Sequence, residues 1–226
     1  MTLLEARNLS YHYTLAKKKI DILKNVNCEI NRGDIVFFHG ASGAGKSTLM
    51  YLLSGLEKPS SGEVLIQGKS INTMSTNTKA NMRNHELGFV FQHYGLMPEL
   101  NVLENVLLPT QMQNKLSTKD AKQRALQLLE QVGLEDRIKH LPKELSGGEQ
   151  QRVAIARSLV NKPSIIFADE PTGNLDEENS GKIMELLLNL AKQEQVALIL
   201  ITHDTRWLKR GSQCYQVGNH GIHTSN

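Results

Sequence analysis

The sequence predicts an α/β fold with a mainly parallel sheet, on three observations. A glycine-rich stretch, Gly40 to Thr48, lies between a short apolar run (Ile35-Val36-Phe37-Phe38) and a run able to continue as a helix (Ser47 to Leu53). Two further apolar runs, Ile165 to Ala168 and Val196 to Ile201, flank a segment with Ile183, Leu186, Leu187 and Leu190 on one helical face. Strands that alternate with helices imply parallel pairing, with ligand chemistry at the carboxyl ends of the strands. A chain of 226 residues suits one α/β domain carrying a subdomain. Its 39% hydrophobic and 22% charged residues exclude a disordered or fibrous chain.

Up to about Asn31, apolar and polar residues alternate (Leu9, Tyr11, Tyr13; Ile22, Val26, Cys28, Ile30), which predicts antiparallel strands with one wet face. Lys17-Lys18-Lys19 between them read as a solvated hairpin tip. Beyond the glycine-rich stretch, Pro59 to Gly62 is a turn, Glu63 to Ile66 a strand and Gln67 to Lys69 a second turn, whereas Ser70 to Asn84 are polar and show no periodicity. Gly88 to Gln92 closes another strand. A stretch without strand signals follows to about Val160, in which Ala121, Ala125, Leu128, Leu129 and Val132 share a helix face, capped by Thr118 and Gly133, so a helical insert is expected.

The longest wholly apolar run, Val196 to Ile201, is far short of a bilayer span, and the first residues show no basic region followed by an apolar segment, so neither a membrane helix nor a secretory signal is expected. Cys28 and Cys214 are too few and too far apart for a disulfide framework and read as reduced thiols of a cytosolic protein. A net charge of +3 lacks the clustered basic footprint of a nucleic-acid binder, and no nucleic-acid partner is expected.

Gly40-Ala41-Ser42-Gly43-Ala44-Gly45-Lys46-Ser47-Thr48 fits G-x-x-x-x-G-K-[ST] at every constrained position. The backbone of such a loop turns tightly and offers its N–H groups to phosphate oxygens, with the dipole of the following helix adding positive potential. Lys46 would reach the β- and γ-phosphates, Ser47 would offer a hydroxyl to Mg²⁺, and Thr48 would support the phosphates. A nucleoside triphosphate is the expected ligand. Ser164 to Glu170 is an apolar strand ending in two carboxylates; Asp169 would hold Mg²⁺ and Glu170 would act as general base on the attacking water. In Leu145-Ser146-Gly147-Gly148-Glu149-Gln150, Ser146 and Glu149 form an S-x-x-E capping box, and the glycines leave N–H groups open at a helix start, a second anion site.

Taken together these residues resemble the ATP-binding-cassette (ABC) ATPases over the whole chain. The Walker A loop is Gly40 to Thr48, the signature Leu145 to Glu149 and Walker B Ile165 to Glu170, with a Q-loop glutamine (Gln92), a D-loop (Gly173-Asn174-Leu175-Asp176) and a switch histidine (His203), all in the family's order. Glu149 stands where many members have glutamine. The resemblance implies a P-loop NTPase core with a mainly parallel sheet, an N-terminal antiparallel β-subdomain and an inserted helical subdomain. Residues 1–226 would form a single ABC ATPase domain, about 1–91 and 161–226 as core and about 92–160 as helical subdomain. It further implies Tyr13, with Tyr11 as rival, stacking on adenine, and a site closed by a second copy: Lys46, Ser47, Gln92, Asp169, Glu170 and His203 around ATP and Mg²⁺ from one side, Ser146 to Glu149 and Asp176 in trans from the other.

Gly88 to Pro98, Leu103-Glu104-Asn105-Val106 and Ala168 to Asp176 are similar to the lipoprotein-releasing and macrolide-exporter group. That implies an ATPase peripheral on the inner face of the cell membrane, working on integral membrane permease subunits that contact its helical insert; Tyr94, Leu96 and Met97, which follow Gln92 directly, are either docking residues for such a subunit or a short apolar cluster of the core. The alternative is a regulatory ABC ATPase acting on a membrane-bound cell-division or cell-wall hydrolase complex without transport. A soluble ABC protein of DNA repair or translation needs a long coiled-coil insert or two cassettes, and the roughly hundred residues between Lys46 and Ser146 hold neither.

Overall fold

The computed structural model describes residues 2–16, 18–112 and 117–225. In chain order the strands are β1 (Thr2–Leu15), β2 (Lys18–Asn31), β3 (Ile35–His39), β4 (Ser61–Ile66), β5 (Lys69–Ser70), β6 (Leu87–Phe91), β7 (Ile165–Asp169), β8 (Ala197–Thr202), β9 (Gln213–Gly218) and β10 (Gly221–Thr224). The helices are α1 (Lys46–Leu53), α2 (Thr76–Glu86), α3 (Val102–Gln111), α4 (Thr118–Gln131), α5 (Gly147–Leu159) and α6 (Glu177–Gln193). They fall into two compact units, residues 1–80 with 197–226, and residues 81–196.

In the first unit β1 and β2 form the antiparallel hairpin that the alternation predicts, and β4 and β5 extend it in the order β2-β1-β4-β5. Register shifts between Leu9 and Tyr11, and again between Tyr11 and His12, break the strict period of two. At the tip Lys18 and Lys19 are exposed in β2, opposite Leu15 and Thr14, while Lys17 lies outside the described residues. The same unit holds β3 between two parallel neighbours, β8 and β9, with β10 antiparallel on β9. Every residue of β3 and β8 is buried, the condition of strands in a sheet covered on both faces.

In the second unit β6 and β7 pair in parallel, α5 packs on β6, and α3, α4 and α5 pack on one another. The segment 70–84, aperiodic in sequence, carries a short 3-10 turn (Ile71–Thr73) and α2; α2 buries none of its side chains, so no apolar stripe marks it. The cap of α4 is Ser117, one residue before the expected Thr118: its side chain accepts the Asp120 N–H, while Gly133, at φ 66°, ends the helix as expected.

The loop that leads into α3 is shaped by one buried side chain. Asn105 accepts the Met97 N–H at 2.8 Å and donates to the carbonyls of Met97, Leu100 and Asn101 at 3.1, 2.8 and 3.1 Å. Replacing Asn105 by alanine leaves these part-buried groups without their partner, at about 1–3 kcal/mol for each one that water does not reach. Urea denaturation of Asn105→Ala is expected to show a loss of about 2 kcal/mol or more; a midpoint matching the wild type would mean that water takes over the four bonds at no cost.

Candidate functional site

The glycine-rich loop lies in the first unit, between β3 and α1. Lys46 is 8% exposed, and its Nζ donates to the carbonyls of Gly40 at 2.9 Å and Ala41 at 3.0 Å. The loop is thereby curled around an ammonium whose partners are neutral. A second bond, Ala44 N–H to Ala41 O at 3.2 Å, tightens the turn, and Leu49 N–H to Gly45 O starts the helix. The loop passes so close to β9 that a Cβ on Gly40 would stand 2.4 Å from the Val217 carbonyl oxygen, and Gly40 itself is at φ 150°. Ala41, Ser42, Gly43 and Ser47 are exposed, Ala44, Gly45 and Thr48 half-buried. An open loop at a helix N-terminus with a buried cation can hold a polyanion.

His39, the last residue of β3, escaped the sequence reading although it directly precedes the loop. It is buried, its Nε2 has no hydrogen-bond partner, and burial followed by the nearby Lys46 charge pushes its pKa below the ordinary histidine value. His203 is exposed at the end of β8, in a turn fixed on both sides: Thr202 Oγ1 accepts the Asp204 N–H at 3.0 Å, and the Asp204 carboxylate binds Arg206 and the Trp207 indole N–H. On the hairpin, Tyr11 is 9% exposed and Tyr13 48%, the two rings edge to face at 4.9 Å. Burial, then Glu57, pushes the Tyr11 hydroxyl up to about 12.

Gln92, Ser146 to Glu149, Asp169, Glu170 and Asp176 belong to the second unit. Asp169 ends β7, and Glu170, next in chain, takes a left-handed backbone at φ 46° directly before Pro171, a conformation disfavoured for a residue in that position. The Glu170 carbonyl accepts the Gly173 N–H, which closes the turn. Gln151 was not legible as a site residue, although its spacing from Ile155 and Ser158 puts it on the buried face of α5. Its Nε2 donates to the Pro171 carbonyl at 2.6 Å and so ties the helix to the turn after Glu170.

The capping box is present. The Ser146 side chain accepts the Glu149 N–H, and Glu149 Oε2 receives the Ser146 N–H and hydroxyl, both at 2.8 Å. Those two bonds, with a smaller effect of Arg137 at 3.4 Å, hold the Glu149 carboxyl below its ordinary value of 4.5. Asp176 caps α6, accepting the Asn179 N–H at 2.9 Å and its side-chain amide at 2.6 Å, bonds that lower its pKa likewise. Gln92, half-buried after β6, is bonded to Asn174. Among the described residues no cluster of three or more histidine, cysteine, aspartate or glutamate side chains forms a metal site, and no helix is long and apolar enough to cross a membrane.

A family model described as ABC transporter matches residues 23–173. The lipoprotein-releasing system ATP-binding protein LolD of Wigglesworthia glossinidia brevipalpis is 43% identical over all of this chain and 98% of its own length. The protein of the same name from Psychrobacter arcticus is 46% identical over 89% of each chain. Among solved structures, the dimeric ATP-binding cassette MJ0796, in a post-hydrolysis state bound to ADP and Pi, superposes with a TM-score of 0.90 at 36% identity, covering 99% of this chain and 98% of that one.

A carboxyl held below its ordinary pKa stabilises the fold above the unfolded value and stops doing so as pH falls through the folded one. The stability advantage of wild type over Glu149→Gln, measured by thermal denaturation, is therefore expected to be present at pH 7 and to shrink as the pH is lowered through and below 4.5. A difference that stays flat from pH 7 to about 3 would show that the capping box draws nothing from the Glu149 charge.

Proposed function

This chain belongs to the ABC transporter family, and from that premise we propose that its ATPase activity drives lipoprotein release through integral membrane permease subunits. The observation that carries the ATPase reading is the buried Lys46 ammonium, bonded to neutral carbonyls at the head of α1. Support for the lipoprotein reading comes from 43–46% identity, over 89–100% of this chain, to proteins named for that system, which favours it over the regulatory alternative.

In this reading the loop amides of Gly40 to Thr48 and the Lys46 ammonium hold the triphosphate, and the adenine stacks on Tyr13. Tyr13 is preferred to Tyr11 because its ring is half exposed while Tyr11 is buried behind it. Ser47, Gln92 and Asp169 would hold Mg²⁺; a hydroxyl, a carboxamide and a carboxylate are the hard oxygen donors that this cation takes. When bound, the ion neutralises charge on the β- and γ-phosphates. Glu170 accepts the proton of the attacking water, with its backbone turn set by the Gly173 bond, and His203 contacts the γ-phosphate side from β8.

The open N–H groups of Gly147 and Gly148, with Ser146, Glu149 and Asp176, serve the nucleotide of a second copy in a head-to-tail pair. The related cassette solved as a dimer with ADP and Pi supports that arrangement. Residues 1–91 and 161–226 act as the catalytic core with its β-subdomain, and 92–160 as the helical subdomain that meets the permease. Met97, 45% exposed on the loop that Asn105 shapes, is the residue best placed for such contact, with Leu96 half-buried beside it. The protein would then act at the cytoplasmic face of the membrane, held there by its permease.

Two variants test the reading. Lys46→Ala should weaken ATP binding at least about a hundredfold, since it removes the only side-chain cation assigned to the phosphates. Glu170→Gln should keep binding and lose roughly a hundredfold or more of turnover, because an amide cannot accept the water's proton. Wild-type ATP affinity in the first, or wild-type hydrolysis in the second, contradicts the assignment.

A further inference from the structure

We infer that Asn174 is a positioning residue for Gln92, setting which end of the Gln92 carboxamide is presented to the Mg²⁺ of the bound nucleotide; the inference rests on the metal-binding reading of Gln92 given above. Three bonds make the arrangement. Asn174 Nδ2 donates to the Gln92 backbone carbonyl at 2.9 Å and to His93 Nδ1 at 3.2 Å, and Asn174 Oδ1 accepts from Gln92 Nε2 at 3.2 Å. A carbonyl oxygen can only accept, so the Asn174 edge facing it is the amide nitrogen. That leaves Oδ1 to receive the Gln92 nitrogen and fixes the orientation of both amides. With Nε2 engaged, the end of the Gln92 carboxamide outside the clasp is Oε1, and oxygen is the atom a hard cation coordinates.

The Gln92 side chain lies flat on Gly173: a Cβ there would stand 2.8, 3.1 and 3.3 Å from Gln92 Nε2, Cδ and Cγ. The residue before Asn174 therefore has to be small for the clasp to close. The backbone on the other side of Gln92 is held without Asn174, because Arg157 of α5 donates to the carbonyls of Tyr94 and Gly95. Removing the Asn174 side chain thus frees the Gln92 carboxamide and leaves the fold of the loop anchored.

The test measures affinity for a slowly hydrolysed ATP analogue by fluorescence, once with Mg²⁺ and once with EDTA, and reads the gain in affinity that Mg²⁺ brings. Gln92→Ala should reduce that gain. Asn174→Ala should reduce it by about three- to thirtyfold, leave affinity in EDTA within about twofold of wild type, and add nothing to Gln92→Ala in the double variant. Gly173→Ala, which displaces the same side chain by a different route, should act in the same direction, and it carries the test alone if Asn174→Ala melts at a markedly lower temperature. A wild-type Mg²⁺ gain in Asn174→Ala while Gln92→Ala loses it overturns the positioning role and leaves the reading of Gln92 standing. A wild-type gain in Gln92→Ala itself overturns both.

Discussion

A buried ammonium bonded to neutral carbonyls is the interaction on which this molecule depends. Lys46 gives hydrogen bonds to Gly40 and Ala41, the first residues of its own loop, and the loop takes its curled shape around that charge. Carbonyl oxygens satisfy the donors without cancelling the charge, so the loop keeps a positive centre beside the N–H groups at the head of α1. The surroundings are adjusted to it: β9 leaves no room for a side chain at Gly40, and His39 beneath the loop is kept toward its neutral form. In the proposed function a triphosphate supplies the negative charge that balances this ammonium.

The second unit solves a different problem, holding several short polar segments in fixed relation. Helix α5 does most of this, with Ser146 and Glu149 closing its start, Gln151 bonded to the Pro171 carbonyl, and Arg157 bonded to the turn after Gln92. Asn174 then joins the Gln92 turn to the segment that leads into the Asp176 cap of α6. The strained backbone of Glu170 sits within this frame, closed by the Gly173 N–H and the Gln151 bond to the next residue. These bonds link the turn after Gln92, the turn after Glu170 and the start of α6 within one unit.

Much of this was legible in the sequence where local physics is strict. The glycine turn between β3 and α1 follows from the spacing of Gly40 to Thr48 in its strand and helix context, the capping box from Ser146 and Glu149, and the buried strands from their apolar runs. Where local physics is permissive, the sequence was silent. Helix α2 buries no side chain, so no stripe betrays it, and β9 and β10 are mostly half-buried, which blurs their alternation. Two adjacent hydroxyls, Ser117 and Thr118, both suit a cap, and only the backbone decides between them. Tyr11 and Tyr13 share a strand whose register shifts lie around Tyr11, so their unequal exposure cannot be read from spacing. Asn174 has no sequence signal for its role, because its partners lie some eighty residues away.

In the proposed function one chain holds only part of the site, and ATP completes it by joining two copies. The most direct measurement is the solution mass of Glu170→Gln by sedimentation or light scattering, with ATP and Mg²⁺, with ADP, and with ATP plus a second substitution, Ser146→Arg, at the helix start that should face the partner's nucleotide. Twice the single-chain mass is expected with ATP and Mg²⁺ alone, and the single-chain mass in the other two conditions. A protein that binds ATP and keeps the single-chain mass at every concentration, or that pairs equally well with arginine at position 146, would contradict it.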